Sequence, residues 1–250
     1  MKGPSQTVRD LYLQLLLKSV SNLIYGSLPL DLWKDGLFGR NAPPGRDRQS
    51  PAHTMVGVLR LQNVIQLAQN TIDEGIPGHY IETGVWRGGC CILMRGVLAA
   101  NCIQDRKVFV ADSFEGLPTP DLKRFPQDAD STFHQDKKLA VSLEEVKENF
   151  SRYGLLDDQV VFIKGFFSQT LPHLEAGPFS LIRLDGDMYE STFIALSYLY
   201  PKLAQGGYVI IDDYVAVPQC AHAVQDYRRK MSITAPLQEV DWTAVYWRKP

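Results

Sequence analysis

Nine consecutive residues, Ile81-Glu82-Thr83-Gly84-Val85-Trp86-Arg87-Gly88-Gly89, restrict the fold of this chain more than any other stretch. They follow His79-Tyr80 and run straight into Cys90-Cys91-Ile92-Leu93-Met94-Arg95-Gly96-Val97-Leu98, where apolar residues recur at helical spacing. A strand therefore ends and a helix begins within a few residues. Gly84 permits the tight turn, and the Gly88-Gly89 pair is expected to let a ligand lie against the unpaired N–H groups of the helix N-terminus. The spacing E-x-G-x-x-x-G-G is not the dinucleotide fingerprint G-x-G-x-x-G, since Gly84 and Gly88 stand four apart with bulky residues between them. A glycine-rich turn without a ligand is the plainer alternative.

The rest of the chain is consistent with an α/β fold built around that junction. Residues 7 to 24 place Val8, Leu11, Tyr12, Leu15, Leu16, Val20, Leu23 and Ile24 at i, i+3, i+4 spacing, an amphipathic helix outside the sheet. Its apolar face packs on its own domain or meets a second subunit, and the second is preferred. Residues 27 to 51 carry Pro29, Pro43, Pro44 and Pro51 among glycines and charges, which suits a flap or a surface linker. A second helix is expected to open at His53-Thr54-Met55 and to stop at Gly75-Ile76-Pro77-Gly78. Strands are expected at 107–112, 160–165, 180–185 and 207–212, with helices from Ser142 to Phe150 and from Tyr189 to Leu203. Ser142 and Glu145 form a capping box. Helices alternating with continuous apolar strands indicate a parallel sheet covered on both faces. Two extended runs, 233–240 and 243–247, read as a closing hairpin that adds an antiparallel strand. One domain is expected, with 1–51 as N-terminal helix and flap and 52–250 as the core.

Composition excludes several classes of partner. A formal net charge of -2 and a pI near 6.2 provide no basic field for a nucleic-acid backbone or an anionic membrane. No apolar run approaches the roughly 18 residues of a membrane span, and the start of the chain has no signal-peptide pattern, so a soluble cytoplasmic protein is expected. The cysteines Cys90, Cys91, Cys102 and Cys220 form no C-x-x-C pair and read as buried thiols.

The chemistry is concentrated at strand ends. Asp112 closes the second strand thirty residues after Glu82, where an acid commonly accepts hydrogen bonds from ribose hydroxyls. Strand four ends Leu184-Asp185-Gly186-Asp187 and strand five Ile211-Asp212-Asp213. Neighbouring strands lie about 4.8 Å apart, so four carboxylates would crowd one space and repel each other. A divalent cation with oxygen preference removes that conflict, and no cysteine or histidine is patterned beside them, which favours Mg²⁺, or Mn²⁺ or Ca²⁺, over zinc. The alternative is that these acids cap the helices that follow.

The glycine loop resembles the first loop of class I S-adenosylmethionine (SAM) dependent methyltransferases, a Rossmann-like α/β fold. A longer set of segments resembles the macrocin O-methyltransferase family, SAM- and Mg²⁺-dependent enzymes that methylate deoxysugar hydroxyls. These segments are Leu11-Tyr12-Leu13, Ala52-His53-Thr54-Met55, Glu82 to Gly89, Ala111-Asp112-Ser113-Phe114-Glu115-Gly116, Glu148-Asn149-Phe150 with Tyr153-Gly154-Leu155, Arg183 to Asp187, Gly206 to Ile210, and Asp212-Asp213-Tyr214. The resemblance implies metal ligation by Asp185, Asp212 and Asp213 and general-base duty for Asp187. It implies cofactor contacts at Thr54, Met55, Glu82, Thr83, Gly84, Val85, Trp86, Asp112, Ser113, Gly165, Phe166 and Asp185. Residues 27–51 and 117–133 match least and would shape the pocket for a glycosylated small-molecule acceptor. A catechol-type methyltransferase and a non-catalytic SAM-binding scaffold are the alternatives.

Overall fold

In the computed structural model, residues 6–25 and 52–250 are described. The expected flap at 27–51 lies outside them. Seven strands form one sheet in the order β3-β2-β1-β4-β5-β7-β6. They are β1 (His79–Thr83), β2 (Val108–Asp112), β3 (Val160–Lys164), β4 (Phe179–Leu184), β5 (Leu203–Ile211), β6 (Gln238–Glu239) and β7 (Val245–Arg248). The first five run parallel, and β7 lies antiparallel between β5 and β6. The helices are α1 (Gln6–Val20), α2 (Val58–Asp73), α3 (Gly89–Ala100), α4 (Leu143–Arg152), α5 (Phe167–Thr170), α6 (Tyr189–Leu199) and α7 (Pro218–Lys230).

Successive strand residues serve opposite faces, and here both faces are covered. Tyr80, Val108, Val110, Leu181, Tyr208 and Ile210 join one apolar cluster with α1, α2, α3 and α4. Ile81, Phe109, Ala111, Ile182, Val209 and Ile211 join the other with α6 and α7. This is why the strands lack a polar alternation and read as continuous apolar runs.

Several boundaries differ from the sequence expectation, each for a local reason. The second helix opens at Val58, because Thr54 Oγ1 accepts the Val56 N–H at 3.1 Å and holds residues 53–57 in a turn. α1 ends at Val20 and a 3₁₀ turn, Leu23–Tyr25, follows Asn22, which sits at φ 61°. α6 stops at Leu199 before Pro201. Of the expected hairpin, 233–237 is not a strand, and β6 shrinks to two residues. α7 went unread, although Pro218 at its first turn and Arg228-Arg229-Lys230 at its last are ordinary helix signals. Half of the expected capping box at α4 forms: Ser142 accepts from the Glu145 N–H at 3.1 Å, while the Glu145 carboxylate lies 3.7 Å from Arg87. Cys90, Cys91 and Cys220 are buried, whereas Cys102 is exposed.

The amphipathic stripe of α1 divides. Leu13, Leu16, Leu17 and Val20 are buried within the molecule's own core beside α2 and α3. Val8, Leu11 and Leu15 stay exposed at 55, 63 and 53%.

Candidate active site

Parallel register brings the acids of two strands together. Leu184 pairs with Ile211, and the Asp212 N–H continues the ladder to the Leu184 carbonyl at 3.0 Å. One carboxylate oxygen from each of Asp185, Asp212 and Asp213 lies within 4.8 Å of the others.

The expectation that these acids stand uncompensated is corrected by two arginines. Arg183, wholly buried on β4, ion-pairs with Glu82 and Asp212 and reaches Asp185 Oδ2 at 2.8 Å. Arg60, from the first turn of α2, pairs with the other oxygen of Asp212 and with Asp241 at 2.9 Å. The three acids therefore differ in character. Burial alone would raise Asp212, but Arg183 and Arg60 hold its carboxyl below the usual range. Burial and the neighbouring Asp212 push Asp185 up, although Arg183 opposes them. Asp213 rises well above the carboxylate range through burial and the charges of Asp187, Asp185 and Asp212. Its Oδ2 is buried without a hydrogen-bond partner. An orphaned acid oxygen aimed among hard oxygen donors fits a divalent cation of the Mg²⁺ kind.

Beside this cluster opens a cavity of about 90 Å³ that continues into a wider open cleft. Met55, Gly84, Trp86, Asp112, Ser113 and Phe166 line one part, while Asp185, Gly186, Asp187 and Glu190 line another. Gly84 is required where it stands, at φ 83°, because a Cβ there would meet the Asp185 carbonyl oxygen at 1.8 Å. Asp112 clamps the wall: its Oδ2 accepts the Val85 N–H and its Oδ1 the Phe114 N–H, both at 2.8 Å. The Ser113 hydroxyl also donates to Oδ1, at 3.4 Å. Trp86 and Phe114, at φ 49° and 56°, are held in the left-handed region, which is rare for side chains this bulky, and Asp187 joins them at φ 56°, a conformation aspartate adopts more readily. Such concentration of strained backbone around one cavity marks a place the fold over-determines.

The other expected contact residues stand behind the cavity wall. Glu82 is 2% exposed, paired with Arg183, and accepts a hydrogen bond from Cys91 Sγ. Burial pushes its carboxyl up to about 7 even with Arg183 beside it. Thr83, Val85 and Thr54 are buried in the strand, loop and turn that carry the lining residues. Gly165 donates its N–H to the Asp112 carbonyl at 2.9 Å and so sets Phe166 beside the cavity. The Gly88-Gly89 pair is not left open as expected but is covered by the chain's own segments. Gly89 donates its N–H to the His53 carbonyl at 2.8 Å, and a Cβ on it would meet that oxygen at 2.5 Å. The space over Gly88 is filled by Val146 and Phe150 of α4. These glycines seat the chain's own segments on the helix end.

Two further residues were not singled out from sequence. Asp128, in the 117–141 insertion, is fully buried, and its two oxygens accept the N–H groups of Tyr189 and Glu190 at 2.7 and 2.9 Å. It caps α6 immediately after Asp187, from a position 61 residues upstream that no local pattern reveals. Arg183 did carry a signal, for a charge inside an apolar parallel strand needs a buried partner.

With the acid cluster, the glycine loop and the shared cavity in place, comparison with known proteins decides the family. The family model described as macrocin-O-methyltransferase matches residues 10–249. The chain belongs to that family. An 8-demethyl-8-(2,3-dimethoxy-α-L-rhamnosyl)-tetracenomycin-C 4'-O-methyltransferase from Streptomyces olivaceus is 48% identical, over 98% of this chain and 94% of that one. A mycinamicin III 3''-O-methyltransferase from Micromonospora griseorubida is 43% identical over 99% of both. The solved structure of the O-methyltransferase NovP superposes with a TM-score of 0.88 at 42% identity, covering 96% of this chain and 99% of NovP. As a macrocin O-methyltransferase family member the protein is a methyl-transferring enzyme, and membership implies SAM as the donor. Among the described residues no helix is long and apolar enough to cross a membrane.

Proposed function

We propose that the protein methylates a sugar hydroxyl of a glycosylated small molecule, using SAM and Mg²⁺, as one catalytic unit working in the cytoplasm. The observation that carries this reading is the single cavity that joins Trp86, Asp112 and Phe166 to Asp185 and Asp187, next to the orphaned oxygen of Asp213. When bound, SAM supplies the methyl group, and a divalent cation supplies Lewis-acid stabilisation of the acceptor oxygen. Asp185, Asp212 and Asp213 would hold the cation, with Asp212 shared between it and the arginines. Asp112, Ser113 and the Gly84–Trp86 turn would hold the nucleoside and methionine parts of the cofactor. A sugar hydroxyl is a weak nucleophile until it loses its proton, and Asp187 would accept that proton at its carboxylate. The strained turn would fix Asp187 against the acceptor, so that proximity adds to basicity. The relatives' sugar-directed names favour a glycoside over a catechol acceptor. The exposed apolar residues of α1 support assembly into a homo-oligomer through that helix.

The test is incubation with labelled SAM, Mg²⁺ and a panel of 6-deoxyhexosyl glycosides and catechols. Label should enter a glycoside and fail to do so after EDTA treatment. Transfer only to catechols would sink the acceptor reading, and undiminished transfer in EDTA would sink the metal.

A further inference from the structure

We propose that the carboxylate of Glu190 receives a second hydroxyl of the acceptor sugar, one that is not methylated, and thereby selects which position faces Asp187. This deepens the sugar reading and rests on it. Glu190 lies three residues beyond Asp187, in the first turn of α6, and both line the same cavity. Leu117 and Pro118 from the insertion and Ile194 from α6 line it as well, giving apolar surface to the C–H faces and the methyl of a deoxysugar.

The insertion fixes where Glu190 sits. Asp128 holds the Tyr189 and Glu190 N–H groups at 2.7 and 2.9 Å. The Glu190 carboxylate offers about four lone-pair positions. Glu190 is only 8% exposed, and among the described residues no ion pair to it forms within 4 Å. Burial raises its carboxyl, with Arg124 opposing. Its carboxylate oxygens are not sealed off but open to the cavity, beside apolar walls that admit a neutral, hydroxyl-rich ligand able to donate to them.

The experiment compares wild type, Glu190→Ala and the shape-preserving Glu190→Gln on phenyl α-L-rhamnopyranoside, other 6-deoxyhexosides and their singly deoxygenated analogues. The Ala variant should raise acceptor KM roughly tenfold or more, the scale of one charge-assisted hydrogen bond, with kcat changed much less. SAM affinity by calorimetry should stay as in wild type, and Gln should recover part of the loss. One deoxy analogue should cost wild type a similar factor and cost the Ala variant nothing further. Unchanged KM, a parallel loss of SAM affinity, or equal deoxygenation penalties in both enzymes would overturn the assignment while leaving the sugar reading intact. A wild type that methylates none of the glycosides overturns the sugar reading, and this proposal with it.

Discussion

Asp212 and Asp213 are adjacent in sequence and opposite in their effect on the fold. Asp212 is bracketed by Arg183 and Arg60, so Asp212→Asn strips a charge from two buried cations, a change that costs about 3–5 kcal/mol when a buried pair is broken. Among the described residues Asp213 forms no ion pair within 4 Å and is crowded by acids, so Asp213→Asn relieves repulsion. In EDTA the first substitution should lower Tm by several degrees, and the second should leave it unchanged or raise it. Both should weaken Mg²⁺ binding by calorimetry, with excess metal restoring part of the activity. Equal Tm losses would show that the arginines do not separate the two acids. Asp187→Asn should keep SAM and Mg²⁺ affinity while lowering kcat roughly a hundredfold or more, the scale of a lost general base. A variant that loses metal binding but regains its rate in high Mg²⁺ would mark Asp187 as a ligand. The acids were legible because each sits at the end of an apolar run, a local pattern. Arg60 was not, since its distance to Asp212 depends on how α2 crosses the sheet, which periodicity does not encode.

Most elements were readable for the same reason: strands buried on both faces spell themselves as apolar runs, and α4 carries its own cap. Where contacts between distant segments decide, the reading failed. The turn at residues 53–57 follows from Thr54 bonding to Val56 and from the His53 carbonyl meeting the Gly89 N–H, and the second of these exists only once α3 is in place. The segment 117–141 carries no local sign of a link to α6, yet its Asp128 supplies the N-terminal cap of that helix. Removing that cap exposes the link between the insertion and the site. Asp128→Ala should destabilise the protein by about 1–2 kcal/mol, the cost of a lost N-cap, with Asn recovering much of it. Activity should fall further than the folded fraction does, because Asp187 is the last turn residue but one before α6. Proportional losses of activity and folded protein would confine Asp128 to a structural role.

Stability and assembly are properties of the entire fold. His53 is held neutral by burial and by the positive charges of Arg152 and Arg87, its pKa lowered to about 4 while its Nδ1 contacts the Tyr153 hydroxyl at 2.7 Å. Between pH 6.5 and 4 the unfolded chain takes up a proton there that the native protein refuses, so stability drains as pH falls through that window. Tm should decline less from pH 7 to pH 5 in His53→Asn than in wild type, and identical declines would exclude the residue as the cause. The proposed homo-oligomer is tested by Leu11→Lys with Leu15→Glu, which should reduce the mass seen in light scattering without loss of fold. An unchanged mass would remove α1 from any interface.

The position of β7 has a consequence for how the protein is made. β5, the strand that delivers Asp212 and Asp213, pairs on one side with β7. During translation, at ~5–20 residues per second, β5 emerges seconds before its partner. For that interval Tyr208-Val209-Ile210-Ile211 is an apolar strand with an open edge, the kind of surface that recruits chaperones or another nascent chain. Slow codons or ribosome stalling between Ile211 and Val245 would lengthen that exposure, so expression yield will depend on a stretch of message that encodes none of the proposed catalytic residues apart from the Asp212-Asp213 pair at its start.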